Sequence, residues 1–238
     1  LSQAFADAQK GQGLTLLMHG ESGVGKSTLV RHFLEELEQE RGEVVFLAGR
    51  CYERESVPYK AIDAVVDRLA LHLGRLPPAE ARALLPRNLG HLAQLFPVLE
   101  PLWQEGAEHR PNPDPVEMRR SAFAALRELF ERLSRRAPLI AVIDDLQWAD
   151  IDSLVLLGEL MRAPTPPLLL IGTVRSKTTT LDVTGPPSRF AALGGEVRHL
   201  NIEKLPESDA HDLAAQLLGQ ASCSGDLSEV AAEIVREA

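Results

Sequence analysis

Cysteine is scarce: the 238 residues hold two, Cys51 and Cys223. They stand far apart and match no zinc or CxxC spacing, so both read as ordinary thiols of a reducing, cytoplasmic compartment. No apolar run approaches the ~20 residues of a membrane span. The start lacks the basic stretch and apolar core of a signal peptide. Basic residues are outnumbered, 25 Lys and Arg against 34 Asp and Glu, for a net charge of −9 and a pI near 5.3. A broad nucleic-acid surface is therefore not expected. There is no internal repeat and no low-complexity tract. The chain does not begin with methionine, and we expect it to be a piece of a longer protein. What remains is ordinary for a soluble globular protein, 45% hydrophobic and 25% charged, with length for one large α/β domain, or one domain plus a fragment.

The stretch Gly20-Glu21-Ser22-Gly23-Val24-Gly25-Lys26-Ser27 fits G-x-x-x-x-G-K-[ST], the Walker A phosphate loop. Glycines 20, 23 and 25 let the backbone turn tightly and approach a ligand. Successive N–H groups then form an anion nest, and the following helix adds its positive end. Lys26 supplies a mobile charge for the β- and γ-phosphates, and Ser27 a hydroxyl for Mg²⁺. Thr28 is a candidate for the α-phosphate. The flanks suit the motif. Leu14–His19 is an apolar run of strand length, and Leu29, Val30, Phe33, Leu34 and Leu37 recur at helical spacing.

The rest of the chain alternates strand-like and helix-like runs. Leu1–Lys10 reads as a short helix, Val44–Ala48 as a second strand, and Ile62–Leu73 as a helix. Leu76–Pro115 holds eight of the sixteen prolines, which permits only short helices and turns. Its apolar content marks a helical insertion and not a linker. Asp114, Pro115 and Glu117 open a long helix with a capping residue, a proline at its first position and an acid three residues after the cap. Leu139–Ile143 is a third strand, and a helix from about Ile151 is capped by Asp150 or Asp152. Leu168–Val174 is a fourth strand and Val197–Ile202 a weaker fifth. A polar loop spans Ser176–Ser188. Leu213, Leu217 and Leu218 mark a helix, and a last one starts near Leu227. Near-continuous apolar strands between helices describe a parallel sheet covered on both faces.

The third strand ends in Asp144-Asp145, the Walker B pattern. Asp144 is the candidate for holding Mg²⁺, through water. Asp145 is placed to accept a proton from the attacking water, or to orient it. Arg175 ends the fourth strand, at the edge where open parallel sheets bind ligands, and suits the γ-phosphate. Arg50 and Arg54 also follow a strand but read as solvated arginines. Trp148 reads as a packing residue, and His19 as a core or interface histidine.

The segments GESGVGKSTLV, GRCYERESVPY, LIAVIDDLQWAD and LLLIGTVR, in that order, resemble the ATPase module of STAND proteins (signal-transduction ATPases with numerous domains), in the AAA-like branch of P-loop NTPases. The closest likeness is to bacterial multidomain regulators whose module adjoins a kinase, a nucleotide cyclase or a DNA-binding domain. The resemblance covers most of the chain apart from the proline-rich insertion. It implies a three-layer P-loop sandwich with about five parallel strands. Leu168–Val174 would lie between the two motif strands, so that Arg175 emerges between them as a γ-phosphate sensor. It implies a core over residues 1–204, with the insertion at about 75–115, and the start of a helical lid over 205–238. It also implies an ATP-binding, slowly hydrolysing switch that holds ADP when off and Mg²⁺ with ATP when on. Linked signalling domains and self-assembly with ATP bound would be its partnerships. The family's adenine contacts lie in segments before Leu1 and after Ala238, so weak ATP affinity and poor discrimination from GTP are expected. A small-molecule P-loop kinase, an origin-recognition-type DNA-associated ATPase and a catalytically dead scaffold are the rival readings. Paired acids and the large insertion argue against the first, a missing basic winged helix against the second, and intact Lys26, Ser27, Asp144 and Asp145 against the third.

Overall fold

In the computed structural model Leu14–Gly20, Val45–Arg50, Leu139–Asp144, Leu168–Arg175 and Glu196–Asn201 form strands β1 to β5. All pair in parallel, in the order β2-β3-β4-β1-β5. The structure describes residues 1–11, 13–54, 57–102, 114–175 and 189–220. The expected 176–188 loop, the helix near Leu227, Cys223 and residues 103–113 of the insertion lie outside them. β1, β3 and β4 are buried almost throughout, whereas β5 is a half-exposed edge. That is why the first three read as continuous apolar runs and β5 as a weak one.

Side chains alternate between the two faces. Leu17, Leu47, Leu139, Ala141, Ile143, Leu168 and Leu170 join one core with helices α3 (Lys60–Arg75), α6 (Pro115–Arg136) and α7 (Ile151–Leu160). Leu16, Met18, Ile140, Val142, Leu169 and Ile171 are buried outside that cluster. Phe5 of α1 (Ser2–Ala8) meets Phe33 of α2 (Lys26–Arg41) edge-on, with centroids 6.3 Å apart. The insertion forms short α4 (Pro78–Leu84), α5 (Leu89–Leu95) and a 3-10 turn, Pro97–Leu102, as its prolines require. Its Leu84, Leu89, Leu92, Phe96 and Leu99 belong to the same core as α3 and α6, so the described part of the insertion is a wall of the main body.

Local signals set the helix starts. The Asp114 carboxylate accepts from Val116 N–H, and Pro115 opens α6. Asp150, not Asp152, caps α7. Residues 1–201 and 202–238 form two compact units, and α8 (Glu207–Gln220) belongs to the second. Among the described residues no helix is long and apolar enough to cross a membrane.

Candidate functional site

β4 lies between β1 and β3, so the carboxyl ends of the phosphate-loop strand and the acid strand flank a common crevice. Register fixes who meets whom: Gly20 pairs with Arg175, and Arg50 pairs with Asp144. A cleft of about 250 Å³ results, lined by Ser22, Gly23, Gly25, Lys26, Ser27, Thr28, Arg50, Asp144, Asp145 and Arg175. Val24 lies in the loop without lining it; Gly20 and Glu21 contribute their carbonyls.

The loop is built by backbone conformation. Gly23 (φ 83°) and Gly25 (φ 97°) adopt positive φ, and a Cβ at either would meet open space. Glycine is needed there for its torsion angles and not for room. Leu29 N–H donates to Gly25 O at 2.8 Å, starting α2. Lys26, 7% exposed, donates to the carbonyls of Gly20 (2.8 Å) and Glu21 (2.6 Å). Burial pushes its ammonium below the usual range, while the Asp145 carboxylate opposes that shift, Arg175 adds to it and Asp144 opposes it.

Across the crevice, Asp144 Oδ1 accepts from Ser27 Oγ at 2.9 Å and from the Thr173 hydroxyl. Thr173 Oγ1 in turn accepts from Asp145 N–H at 2.9 Å. This buried threonine of β4 thus orients both acids, and sequence reading missed it because one hydroxyl in an apolar strand carries no periodic signal. Asp145 sits at φ 57°, just past the strand end. The next residue, Leu146, is buried and packs over Gly172 of β4, where a Cβ would lie 2.7 Å from Leu146 Cδ2.

The Asp145 carboxylate faces two arginines. Arg175 donates from Nε to Oδ1 (2.8 Å) and from Nη2 to Oδ2 (3.0 Å). Arg50 donates from Nε (3.2 Å) and Nη2 (2.9 Å) to Oδ2. Gln147 Nε2 adds a bond to Oδ1 at 2.9 Å, and its Oε1 accepts from Arg175 N–H at 3.0 Å. Burial pushes the Asp145 carboxyl up, but hydrogen bonds from Arg175, Gln147 and Arg50 outweigh it and bring it down to about 2. Arg50 therefore corrects the sequence reading: its side chain is half exposed yet bound into the cleft. Strand order was the missing information, since it alone makes β2 the neighbour of β3. Arg54 is exposed and is not among the cleft residues. Trp148 packs partly buried against the core. His19 is half-buried and bonded to His199 of β5 at 2.9 Å.

The donor set suits a hard cation. Ser27 Oγ and Asp144 are oxygen donors held together, and magnesium is commonly bound by one or two protein oxygens plus phosphate and water. Among the described residues no group of three His, Cys, Asp or Glu forms a metal cage, which that mode does not require. With Lys26, Arg50 and Arg175 against Asp144 and Asp145, the cleft carries more cations than anions in a chain of net charge −9. Such a cleft suits a polyanion.

A family model described as the AAA ATPase domain matches residues 1–171, both motifs included. The chain belongs to the AAA ATPase domain family. An uncharacterized protein of Rhizobium meliloti (strain 1021) is 28% identical over 194 residues, 78% of this chain and 19% of that protein. The Walker-type ATPase PABY2304 of Pyrococcus abyssi is similar in structure (TM-score 0.53, 19% identity, 99% of this chain, 61% of that one). So is Cdc6p of Pyrobaculum aerophilum (TM-score 0.52, 17% identity, 97% of this chain, 52% of that one). The chain thus spans about a fifth of the curated relative's length and under two thirds of either structure. At these identities the structures attest the fold: an AAA-type α/β P-loop module with a five-stranded parallel sheet.

Proposed function

We propose that this AAA module binds ATP with Mg²⁺ and hydrolyses it slowly, as a nucleotide-dependent switch within a larger signalling protein. The observation that carries the reading is the 2.9 Å hydrogen bond from Ser27 Oγ to Asp144 Oδ1. It joins the phosphate loop to the acid strand at the point where a cation would be shared.

The loop N–H groups and Lys26 would bind the phosphates. Ser27 and Asp144 would hold Mg²⁺, which when bound offsets charge on the β- and γ-phosphates. In hydrolysis, water attacks the γ-phosphorus and the bond to the β–γ bridging oxygen breaks. ADP leaves with that electron pair, and the proton of the water ends on inorganic phosphate. Asp145, held ionised by its arginines, serves this step better by accepting a hydrogen bond that aims the water than by taking its proton. Arg175, next to the loop through Gly20, is placed to move onto the γ-phosphate. Thr28 faces the same cleft and is assigned to the α-phosphate.

The relative's greater length supports a module that works beside linked domains, with ATP-dependent self-assembly as one output. Residues 202–238, the second unit, are assigned as the start of a lid. Titration calorimetry with ATP, with and without Mg²⁺, paired with a phosphate-release assay lacking any acceptor, tests the reading. We expect Mg²⁺-dependent binding and slow release. Phosphate release that requires an added acceptor would instead make the chain a kinase.

A further inference from the structure

We propose that His19 and His199 form a binding site for one divalent transition-metal ion of the zinc class, which clamps the edge strand β5 to β1 at the root of the phosphate loop. Neither residue lines the nucleotide cleft, so the site does not depend on the ATPase reading.

His19 Nε2 and His199 Nδ1 lie 2.9 Å apart. The ring planes differ by 21° and the ring centres are 5.1 Å apart. That spacing is nearly the contact distance plus both ring radii. The two nitrogens therefore point at each other along the line of centres, in nearly coplanar rings that meet edge to edge. Register explains the meeting. His19 stands opposite Asn201, and Leu17 opposite His199, so the two histidines are diagonal neighbours on one face of the sheet. A neutral imidazole carries one donor and one acceptor nitrogen, so one ring donates here and the other accepts. Of the chain's seven histidines, these are the two whose rings meet among the described residues.

A metal can take the place of the shared proton. The donor ring shifts its proton through solvent to its outer nitrogen. Both inner lone pairs then face the ion, and the pair releases no proton. Zinc–imidazole bonds of about 2.0–2.1 Å at a tetrahedral angle set the two nitrogens about 3.3 Å apart, so the rings need only part slightly and tilt. His199 is exposed, which lets it tilt and gives the ion a path from solvent. Asn201, exposed on the same face and opposite His19, offers an amide oxygen, and water completes the shell. Ligand type selects the metal: imidazole suits zinc, copper and nickel, whereas magnesium and calcium want oxygen sets. Among the described residues neither ring pairs with a carboxylate, so none holds either ring as a cation. With two imidazoles the site is open and exchangeable, unlike a four-ligand structural zinc. Its place gives it a consequence. His19 immediately precedes Gly20, whose carbonyl accepts from Lys26, and β5 is a half-exposed edge. A metal bridge stiffens that edge where it borders the phosphate loop.

The test uses the whole untagged chain and Zn²⁺ alone as the probe, with excess Mg²⁺ to fill any hard-cation site. Calorimetry should show one zinc bound per chain, with roughly micromolar affinity. His19→Gln and His199→Gln should each weaken it by about tenfold or more. His32→Gln is the control: His32 lies 3.3 Å from Glu36 on α2, a competing histidine–carboxylate pair, and its loss should leave binding unchanged. Zinc should raise the melting temperature of the wild type and of His32→Gln, and not that of the two pair variants. It should also slow amide exchange in β5 of the wild type. His199 is exposed, so His199→Gln should fold, and its metal-free melting curve checks this. If the half-buried His19→Gln does not fold, His199→Gln and His199→Ala decide. Cu²⁺ in place of zinc adds a count: electron paramagnetic resonance should show two imidazole nitrogens in the wild type and one in His199→Gln. The proposal is overturned if zinc binds all these proteins alike, as scatter over single histidines would, or if His32→Gln alone loses it. A single nitrogen on copper in the wild type, or no zinc binding tighter than millimolar, overturns it equally.

Discussion

Asp145 and Asp150 belong to one seven-residue stretch, Asp144–Asp150, yet they answer to different partners. Asp145 faces side-chain cations in the cleft. Asp150 faces backbone. Its Oδ1 accepts from Ser153 N–H (2.8 Å) and Tyr59 N–H (3.2 Å), and its Oδ2 from Lys60 N–H (3.1 Å) and the Ser153 hydroxyl. Ser153 Oγ accepts in turn from Ala61 N–H at 3.1 Å. One carboxylate thus caps both α7 and α3, whose own N-cap, Tyr59, offers no side-chain bond. Two helix N-termini hold its charge where arginines hold that of Asp145. Charge balanced by mobile side chains can be exchanged with a ligand; charge balanced by helix ends cannot, and it welds the loop after β2 to the loop after β3.

The largest effect belongs on the cleft side. Lys26→Ala should cost about 3 kcal/mol or more of triphosphate affinity, over a hundredfold, from loss of a charged hydrogen-bond donor. Melting should barely move, because the carbonyls of Gly20 and Glu21 would turn to water. Calorimetry and a melting curve on one sample check both halves, and unchanged ATP affinity would sink the phosphate-loop assignment.

On the other side, Asp150→Ala should remove about 3 kcal/mol of stability, from two lost caps and unpaired N–H groups. Urea unfolding measures it. Burial pushes the Asp150 carboxyl up, but the Ser153 hydroxyl and the Ser153 and Tyr59 N–H groups outweigh that and hold it below the usual carboxylate range. The sign follows: its contribution is complete above the unfolded value of 3.8 and is lost as pH falls from there toward the lowered folded value. Asp150→Asn should flatten that acid limb. An unchanged limb would assign the acid sensitivity elsewhere.

Sequence alone disclosed one side of this comparison better than the other. That Lys26, Ser27 and Asp144 would come together in one cleft was legible because the two motifs set residue types at fixed spacings. The strands carrying them were legible because burial on both faces leaves continuous apolar runs. Placing Leu168–Val174 between the motif strands came from the resemblance, and β4 lies there. Arg50, Thr173 and the second cap made by Asp150 were not legible. Each depends on which strand or loop lies alongside, a long-range pairing with no local pattern. Arg50 and Arg54 look alike in sequence; only Arg50 has Asp144 across from it.

Thr173 probes the bridge between the acids. Thr173→Val keeps the shape but leaves Asp145 N–H unpaired and removes one of the two hydroxyls on Asp144. A loss of about 1–2 kcal/mol is expected, with a changed Mg²⁺ dependence of ATP binding. Thr173→Ser, which keeps the hydroxyl, should retain the metal response. If valine and serine behave alike in the Mg²⁺ titration, the hydroxyl does not orient the acids.

Asp145→Asn should move stability least, by less than about 1 kcal/mol. The loss of charge-assisted bonds is offset in three ways. The variant no longer holds a mostly buried carboxylate, its side chain 9% exposed, whose desolvation is costly. The arginines released are half exposed, 50% for Arg50 and 44% for Arg175, and can regain water. The backbone sits at φ 57°, a left-handed conformation that asparagine tolerates better than almost any residue but glycine. Hydrolysis should nonetheless fall steeply, since the amide presents one acceptor where the carboxylate presented two and carries no charge to aim the water. Affinity for a non-hydrolysable triphosphate should rise, because Arg175 no longer has to leave a partner to reach the γ-phosphate. Unfolding, single-turnover hydrolysis and analogue titration on this one variant draw the line between the two aspartates. If Asp145→Asn unfolds as readily as Asp150→Ala, the cleft acid is structural too and the distinction between exchangeable and fixed charge fails.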